Sequence, residues 1–150
     1  MSRNLLANLI YGPSYISLET ALSFHGWIPE AVHSVSSISL DRARTFETPI
    51  GFFDYVQVRQ LPLLAGVERV VGDQPEQGSF YMAKPLKAMA DYVASRGLDW
   101  DGVEPLEESL RIDVDNLETL ESKDFDELDG VYKSARARKF LAGLRKELGK

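Results

Sequence analysis

The sequence contains no cysteine, and this absence excludes disulfide bonds, zinc–thiolate sites, iron–sulfur clusters and thiol nucleophiles. Histidine is scarce as well, because His25 and His33 are the only two imidazoles. Neither belongs to a metal-binding or catalytic pattern, which favours structural roles for both. Nucleophile-elbow, phosphate-loop, dinucleotide and protein-kinase motifs are missing too. We therefore expect a protein that is not an enzyme on its own, with no catalytic residues, no bound metal and no cofactor.

Long apolar runs are also missing. No segment approaches the ~20 residues that a membrane-spanning helix needs, and the N-terminus lacks a secretory pattern. We expect a cytoplasmic protein without a membrane partner. Hydrophobic residues make up 44% and charged residues 27% of the sequence, which is typical of globular proteins. Because no repeat or linker divides the chain, we predict a single domain over residues 1–150, with a helix-plus-sheet core in 1–98.

Charge is distributed unevenly along the chain. The net charge is -6, but residues 1–98 carry 8 basic and 9 acidic side chains, residues 99–130 carry 2 and 13, and residues 131–150 carry 7 and 1. An acidic segment therefore adjoins a basic one. Either the two neutralise each other within the molecule, or the basic segment is offered to an acidic partner.

The basic segment is predicted to form the last helix, over residues 131–148. Cations in the first half of a helix are disfavoured by its dipole, so we predict that the acidic segment 99–130 folds back to hold them. The apolar stripe of the helix should dock on the core. The cations are Lys133, Arg136, Arg138 and Lys139, and the stripe comprises Phe140, Leu141, Leu144 and Leu148.

Local patterns predict an α+β fold, with an antiparallel β meander flanked by helices and an α-helical C-terminal part. Helical spacing and breakers predict helices near residues 5–10, 17–25 and 85–96, followed by a loop over 98–105 and short acidic helical pieces in 106–130. We expect Ser17 to cap the second helix. Strands are predicted at residues 32–40, 45–48, 52–58, 67–71 and 79–83. Pro49-Ile50-Gly51 should form one hairpin turn, and residues 72–78 the other.

Two groups of charged residues could carry a function. Arg42 and Arg44 before the hairpin, with Lys84 and Lys87 at the start of the third helix, form a candidate patch for a partner or a phosphate. Asp113 and Asp115 alternate in the acidic segment and could hold magnesium. Scattered surface charge is the more ordinary interpretation of both groups.

Three segments resemble the AbiEi-like antitoxin family of type IV toxin–antitoxin systems, which act in abortive infection and phage defence. They are LIYGPSYISLETALSFHGWIPE at residues 9–30, RTFETPIG at residues 44–51 with Phe53 and Tyr55 following, and MAKPLKAMAD at residues 82–91. The three occur in order and cover roughly residues 5–95. The acidic and basic C-terminal parts add little to the resemblance.

The resemblance implies an antitoxin that neutralises a nucleotidyltransferase-like toxin. Family members usually also carry an N-terminal winged helix that binds the operon promoter. Because Met1 immediately precedes the antitoxin motifs, we expect no winged helix in this chain. Either a separate small protein supplies DNA binding and transcriptional regulation, or this chain has kept only the neutralising part. The rival hypothesis is a nucleic-acid-binding or regulatory module that uses the candidate patch and the basic last helix, notably Arg136, Arg138 and Lys139. The acidic net charge disfavours nucleic acid as the partner.

Overall fold

The N-terminal part of the chain builds a six-stranded sheet, and the part after residue 84 is helical. The computed structural model describes residues 2–72, 74 and 78–150. The α+β class predicted from the sequence is confirmed. The elements are α1 (Arg3–Ile10), β1 (Ser14–Ile16), α2 (Leu18–Phe24), β2 (Val35–Ser39), β3 (Arg44–Thr48), β4 (Gly51–Gln57), β5 (Val67–Val71), β6 (Ser79–Ala83), α3 (Pro85–Arg96), α4 (Glu104–Leu110), α5 (Val114–Glu118), α6 (Ser122–Glu127) and α7 (Ala135–Leu148).

The sheet is mostly antiparallel but mixed, with the strand order β3-β4-β2-β1-β6-β5. Antiparallel pairing of β3 with β4 and of β5 with β6 confirms the two predicted hairpins. In contrast to a simple meander, β2 lies parallel to β4, and β1 lies parallel to β6. Strand β1 was not predicted, because a three-residue strand between Gly12-Pro13 and a helix is too short to display alternation. Of the predicted turn 72–78, Asp73, Pro75, Glu76 and Gln77 lie outside the described residues.

Helices α2 and α3 follow their local signals closely. Pro85 occupies the first turn of α3, and Gly97 ends the helix in the left-handed conformation with φ 60°, which glycine adopts without a steric penalty. Ser17 precedes α2 as predicted, but its hydroxyl makes no capping bond to the helix. It donates instead to Asp91, 2.7 Å away. The Ser17 side chain therefore forms a tertiary contact with Asp91 instead of the predicted helix cap.

The C-terminal part differs in detail from its prediction. Helix α4 already begins at Glu104, inside the predicted loop, and α7 begins only at Ala135. The hydroxyl of Ser134 accepts the Ala137 amide at 3.1 Å and so caps α7. Residues 131–133 do not join the helix, because their backbone bonds to residues 59–61 on the sheet side. One continuous hydrophobic core extends through both parts of the chain, from Ala7 to Leu144.

Candidate functional site

A buried carboxylate on α3 is the centre of the largest polar network in the core. Asp91 is completely buried. Its Oδ2 accepts hydrogen bonds from Tyr15 Oη at 2.8 Å and Ser17 Oγ at 2.7 Å, and its Oδ1 accepts from Tyr132 Oη at 2.7 Å. Hydrogen bonds to a carboxylate are among the stronger ones in proteins. The network joins β1, α3 and the segment before α7.

Lys87 belongs to this network and not to the predicted surface patch. It lies one helical turn before Asp91 and is 1% exposed. Its Nζ donates to Gln60 Oε1, and Gln60 Nε2 donates to Tyr15 Oη at 2.8 Å. The ammonium also lies 4.6 Å from the ring centroid of Tyr132, a cation–π distance. Every residue from Leu86 to Val93 is buried, so Lys87 does not lie on an open surface, although it lines the same cleft as Lys84.

Burial shifts the ionisation of the network. It raises the pKa of the Asp91 carboxyl, although Lys87 and the three hydroxyl donors act in the opposite direction. It lowers the pKa of the Lys87 ammonium, with Asp91 opposing the shift. Burial and the Asp91 charge together raise the pKa of Tyr15 and Tyr132. The Asp91 carboxylate has no exposed surface and accepts hydrogen bonds from three hydroxyl groups, so a substrate cannot reach it.

Two of the three segments that carry the family resemblance meet at this network. Tyr15 and Ser17 come from the first segment, and Lys87 and Asp91 from the third. Tyr55 of the second segment lies elsewhere in the core, where its hydroxyl donates to the Ala7 carbonyl. These motif residues are therefore scaffold residues. A molecule that binds to the protein surface would contact other, exposed residues.

An open apolar groove lies beside α1 and provides such residues. It has a volume of about 730 Å³. Leu61 is 71% exposed and Leu9 63% exposed, values that are costly for leucines unless a partner covers them. The sequence contained a signal for this site in the apolar run Leu61-Pro62-Leu63-Leu64 between two strands. The lining residues are Leu5, Asn8, Leu9, Pro13, Ser14, Leu40, Leu61, Pro62, Leu63, Leu64, Ser79 and Tyr81.

No model of a known protein family matches the chain, and no curated protein matches it. Within residues 2–72, 74 and 78–150, no helix is long and apolar enough to cross a membrane.

The remaining cations of the predicted patch do not converge. Arg44 lies with its guanidinium carbon 4.9 Å from the Phe46 ring centroid and lines a cleft with Arg96. Lys84 lies at another cleft, of about 320 Å³, where its Nζ forms an ion pair with Glu127 at 3.1 Å. Arg42 is exposed. The arginines before the hairpin and the lysines of α3 do not form one surface, because β3 lies at the edge of the sheet opposite to β5 and β6.

The prediction for the last helix is confirmed for its apolar stripe and met in part for its cations. Phe140 and Leu144 are fully buried, and Leu141 and Leu148 pack against the core. Among the four cations, Arg136 pairs with Asp99 of the acidic segment at 2.9 Å. Arg138 donates to the backbone carbonyls of residues 132 and 133. For Lys133 and Lys139, no acidic partner lies among the described residues.

The two aspartates considered as magnesium ligands have a local structural role. Asp113 is the N-cap of α5, and its Oδ1 accepts the Asp115 amide at 2.9 Å. In the described part of the chain, no group of three or more histidine or acidic residues is placed to hold a metal ion. Helix capping therefore explains Asp113, and Asp115 is an acidic residue in the first turn of the same helix.

Proposed function

We propose that this protein is an antitoxin-like interaction protein of a type IV toxin–antitoxin system. It works in the cytoplasm, where it neutralises a nucleotidyltransferase-like toxin by direct contact and has no enzymatic activity of its own. The observation that carries the proposal is the apolar groove beside α1, whose leucines are exposed in the isolated chain. The ordered resemblance of three segments to AbiEi-like antitoxins supplies the identity of the partner.

The polar network supports the choice of a binding protein over an enzyme. A catalytic group has to reach its substrate, whereas Asp91 has no exposed surface and is engaged by three hydroxyl groups. Lys87 is likewise engaged by Gln60. Asp91 and Lys87, whose residue types are common in catalytic sites, are therefore assigned a structural role in the core.

Co-expression tests the proposal. The gene adjacent to this one is induced with and without this chain, and growth is measured. We expect the wild-type chain to restore growth and the double variant Leu61→Ser/Leu64→Ser to fail, because polar side chains weaken the apolar contact. Ile50→Ser, at an exposed isoleucine in the β3–β4 turn, is the matched control and should restore growth. All variants should keep the wild-type melting temperature.

Two results would contradict the proposal at different levels. If the wild-type chain fails to restore growth, the antitoxin function is refuted. If the double variant restores growth as well as the wild type does, the function stands and the groove is refuted as its site. Both results require comparable amounts of soluble protein, measured in the same cells.

The second candidate function is a nucleic-acid-binding or regulatory module of the same operon. It is favoured by Arg138 and Lys139 on α7, both of which are exposed. Binding through such residues would weaken steeply with salt, because phosphate contacts release counterions. A gel-shift assay on promoter DNA at low salt tests this function. Absence of a shift would eliminate it and leave DNA binding to a separate protein.

A further inference from the structure

We infer that the cleft lined by Lys84 binds a guanidinium group on a short apolar stem, which is the chemistry of an arginine side chain. This Lys84 cleft lies where the first turn of α3 meets the end of α2, the start of β5 and the helices α5 and α6. It shares none of its described lining residues with the groove beside α1. The inference therefore goes beyond the proposed function and does not depend on it.

The Lys84 cleft has room for one side chain and an apolar floor. Its volume of about 320 Å³ is at the small end of ligand sites in proteins. The floor includes Leu86, Leu120 and Leu128, whose side chains are buried in the core, and the cleft is also lined by Trp27 and Pro85. A long polar side chain buries its apolar stem on such a surface and keeps its charged head near water. The shape and the floor therefore suit a charged group on a stem of a few carbon atoms.

Glu68 presents a carboxylate to the cleft without a lysine or arginine partner. Its side chain is 41% exposed, and none of the ion pairs among the described residues joins it to a lysine or arginine. His25 Nε2 lies 3.8 Å from Glu68 Oε1, but this nitrogen is 2.9 Å from the Ala83 carbonyl oxygen. Because a carbonyl only accepts, the Nε2 proton is donated to Ala83. The carboxylate of Glu68 is therefore open to a donor from a ligand.

The other charges of the cleft favour a cation over an anion. Lys84 and Glu127 form an ion pair at 3.1 Å and neutralise each other. The ammonium of Lys87 is engaged in the core by an amide oxygen. Asp124 adds a second carboxylate to the lining. An anion in the cleft would be repelled by Glu68 and Asp124, whereas a cation is attracted by both.

The lining favours a guanidinium over an ammonium. A planar guanidinium donates two parallel hydrogen bonds to one carboxylate, here that of Glu68, and it stacks on aromatic rings. Trp27 and His25 supply rings in the lining of the same cleft. A guanidinium is also more weakly hydrated than an ammonium, so it enters a partly enclosed site more readily. The carboxylate, the rings and the apolar floor together match an arginine side chain.

Three matched ligands test the inference on the wild-type protein. They are N-acetyl-argininamide, N-acetyl-citrullinamide, which has the shape of the arginine ligand without its charge, and N-acetyl-lysinamide. Isothermal titration calorimetry measures their binding at low and moderate salt. Because one side chain makes few contacts, we expect a dissociation constant of about 1 mM for the arginine ligand. The other two should bind about tenfold more weakly, and the affinity for the arginine ligand should fall as salt rises.

Variants locate the bound group. Glu68→Gln removes the charge of the carboxylate and should weaken binding of the arginine ligand about tenfold. Glu47→Gln makes the same change at an exposed glutamate of β3, at the opposite edge of the sheet from β5, and should bind as the wild type does. In Trp100→Phe, Trp27 is the remaining tryptophan, so its fluorescence should change when the cleft is occupied. The melting temperature of each variant serves as the folding check.

Several results would overturn the inference. They are absence of saturable binding, equal binding of the arginine and citrulline ligands, tighter binding of the lysine ligand, and wild-type affinity in a folded Glu68→Gln variant. The first three are measured on the wild-type protein, so they remain decisive if the variant does not fold.

The guanidinium belongs either to a protein partner or to a free small molecule, and the co-expression assay separates these sources. If Glu68→Gln binds the arginine ligand weakly and also fails to restore growth, the group is an arginine of the toxin. If this variant binds weakly but restores growth, the ligand is a free compound. Because ligand binding is measured without the toxin, failure of the antitoxin function and failure of this inference are observed in different experiments.

Discussion

At the scale of single residues, Asp91 and Lys87 are two charged side chains that lie buried in the core. Charged residues four positions apart on a helix are ordinarily a solvated pair. Here both side chains lie in the core, where Asp91 collects three hydroxyl donors and Lys87 binds an amide oxygen. Removing one partner from such a network leaves another polar group unpaired, which is costly in a buried site.

The pH dependence of stability should reveal the buried carboxyl. Burial raises the pKa of Asp91 in the folded protein above its ordinary value of 3.8, so the folded state binds this proton more tightly than the unfolded chain does. The contribution of Asp91 to stability is therefore present below pH 3.8 and is lost as the pH rises through the raised pKa. We expect Asp91→Asn to lack this loss.

Urea midpoints measured from pH 3.5 upward test this expectation. The difference in stability between Asp91→Asn and the wild-type protein should shift in favour of the variant as the pH increases. Asp115→Asn, which alters an exposed aspartate, serves as the control and should run parallel to the wild type. A parallel profile for Asp91→Asn as well would show that the buried carboxyl does not couple to folding.

At the scale of elements, the C-terminal helices pack closely on the sheet side at Gly66. Gly66, just before β5, has φ +72°, and a Cβ placed on it would lie 2.7 Å from Leu128 Cδ2 and 3.3 Å from Lys87 Cβ. Gly130 has nearly the same φ, +71°, but its Cβ would meet nothing within 4 Å. The two glycines therefore separate the cost of the backbone conformation from the cost of packing.

Alanine substitutions at these positions should have unequal effects. Gly130→Ala should lower the free energy of unfolding by about 1–2 kcal/mol, the cost of a left-handed conformation for a residue with a Cβ. Gly66→Ala should lose about 1–3 kcal/mol more, because the added methyl overpacks the contact with Leu128. Denaturant titration measures both. Equal losses would mean that the segment around Leu128 yields freely and is not tightly packed on α3.

At the scale of the whole molecule, the continuous core predicts one cooperative unit. The chain has two tryptophans, Trp27 after α2 and Trp100 before α4, where Trp100 lies 5.3 Å from the Tyr92 ring centroid. Both pack against the core. Single-tryptophan variants, Trp27→Phe and Trp100→Phe, thus place one fluorescent probe in each part of the chain.

Urea unfolding of the two variants should give single transitions that coincide with their own circular dichroism curves. This is the behaviour of a two-state domain. It is expected because residues after 99 supply core side chains such as Leu106, Phe125 and Phe140, and supply Tyr132 to the Asp91 network. A transition seen by Trp100 that precedes the loss of sheet signal would show that the helical part unfolds separately.

The sequence by itself determined the elements whose signals are local. Helices α2 and α3 and the two hairpins lie close to their predicted positions, because proline, glycine and apolar periodicity act on the backbone within a few residues. Tertiary structure decided the rest: the insertion of β1 between antiparallel β2 and parallel β6, the burial of Lys87, and the exposure of Leu61 and Leu64. Strand order and burial depend on which distant segments meet. In this chain a lysine is buried and two leucines are exposed, so the residue type alone does not show whether a position lies in the core or on the surface.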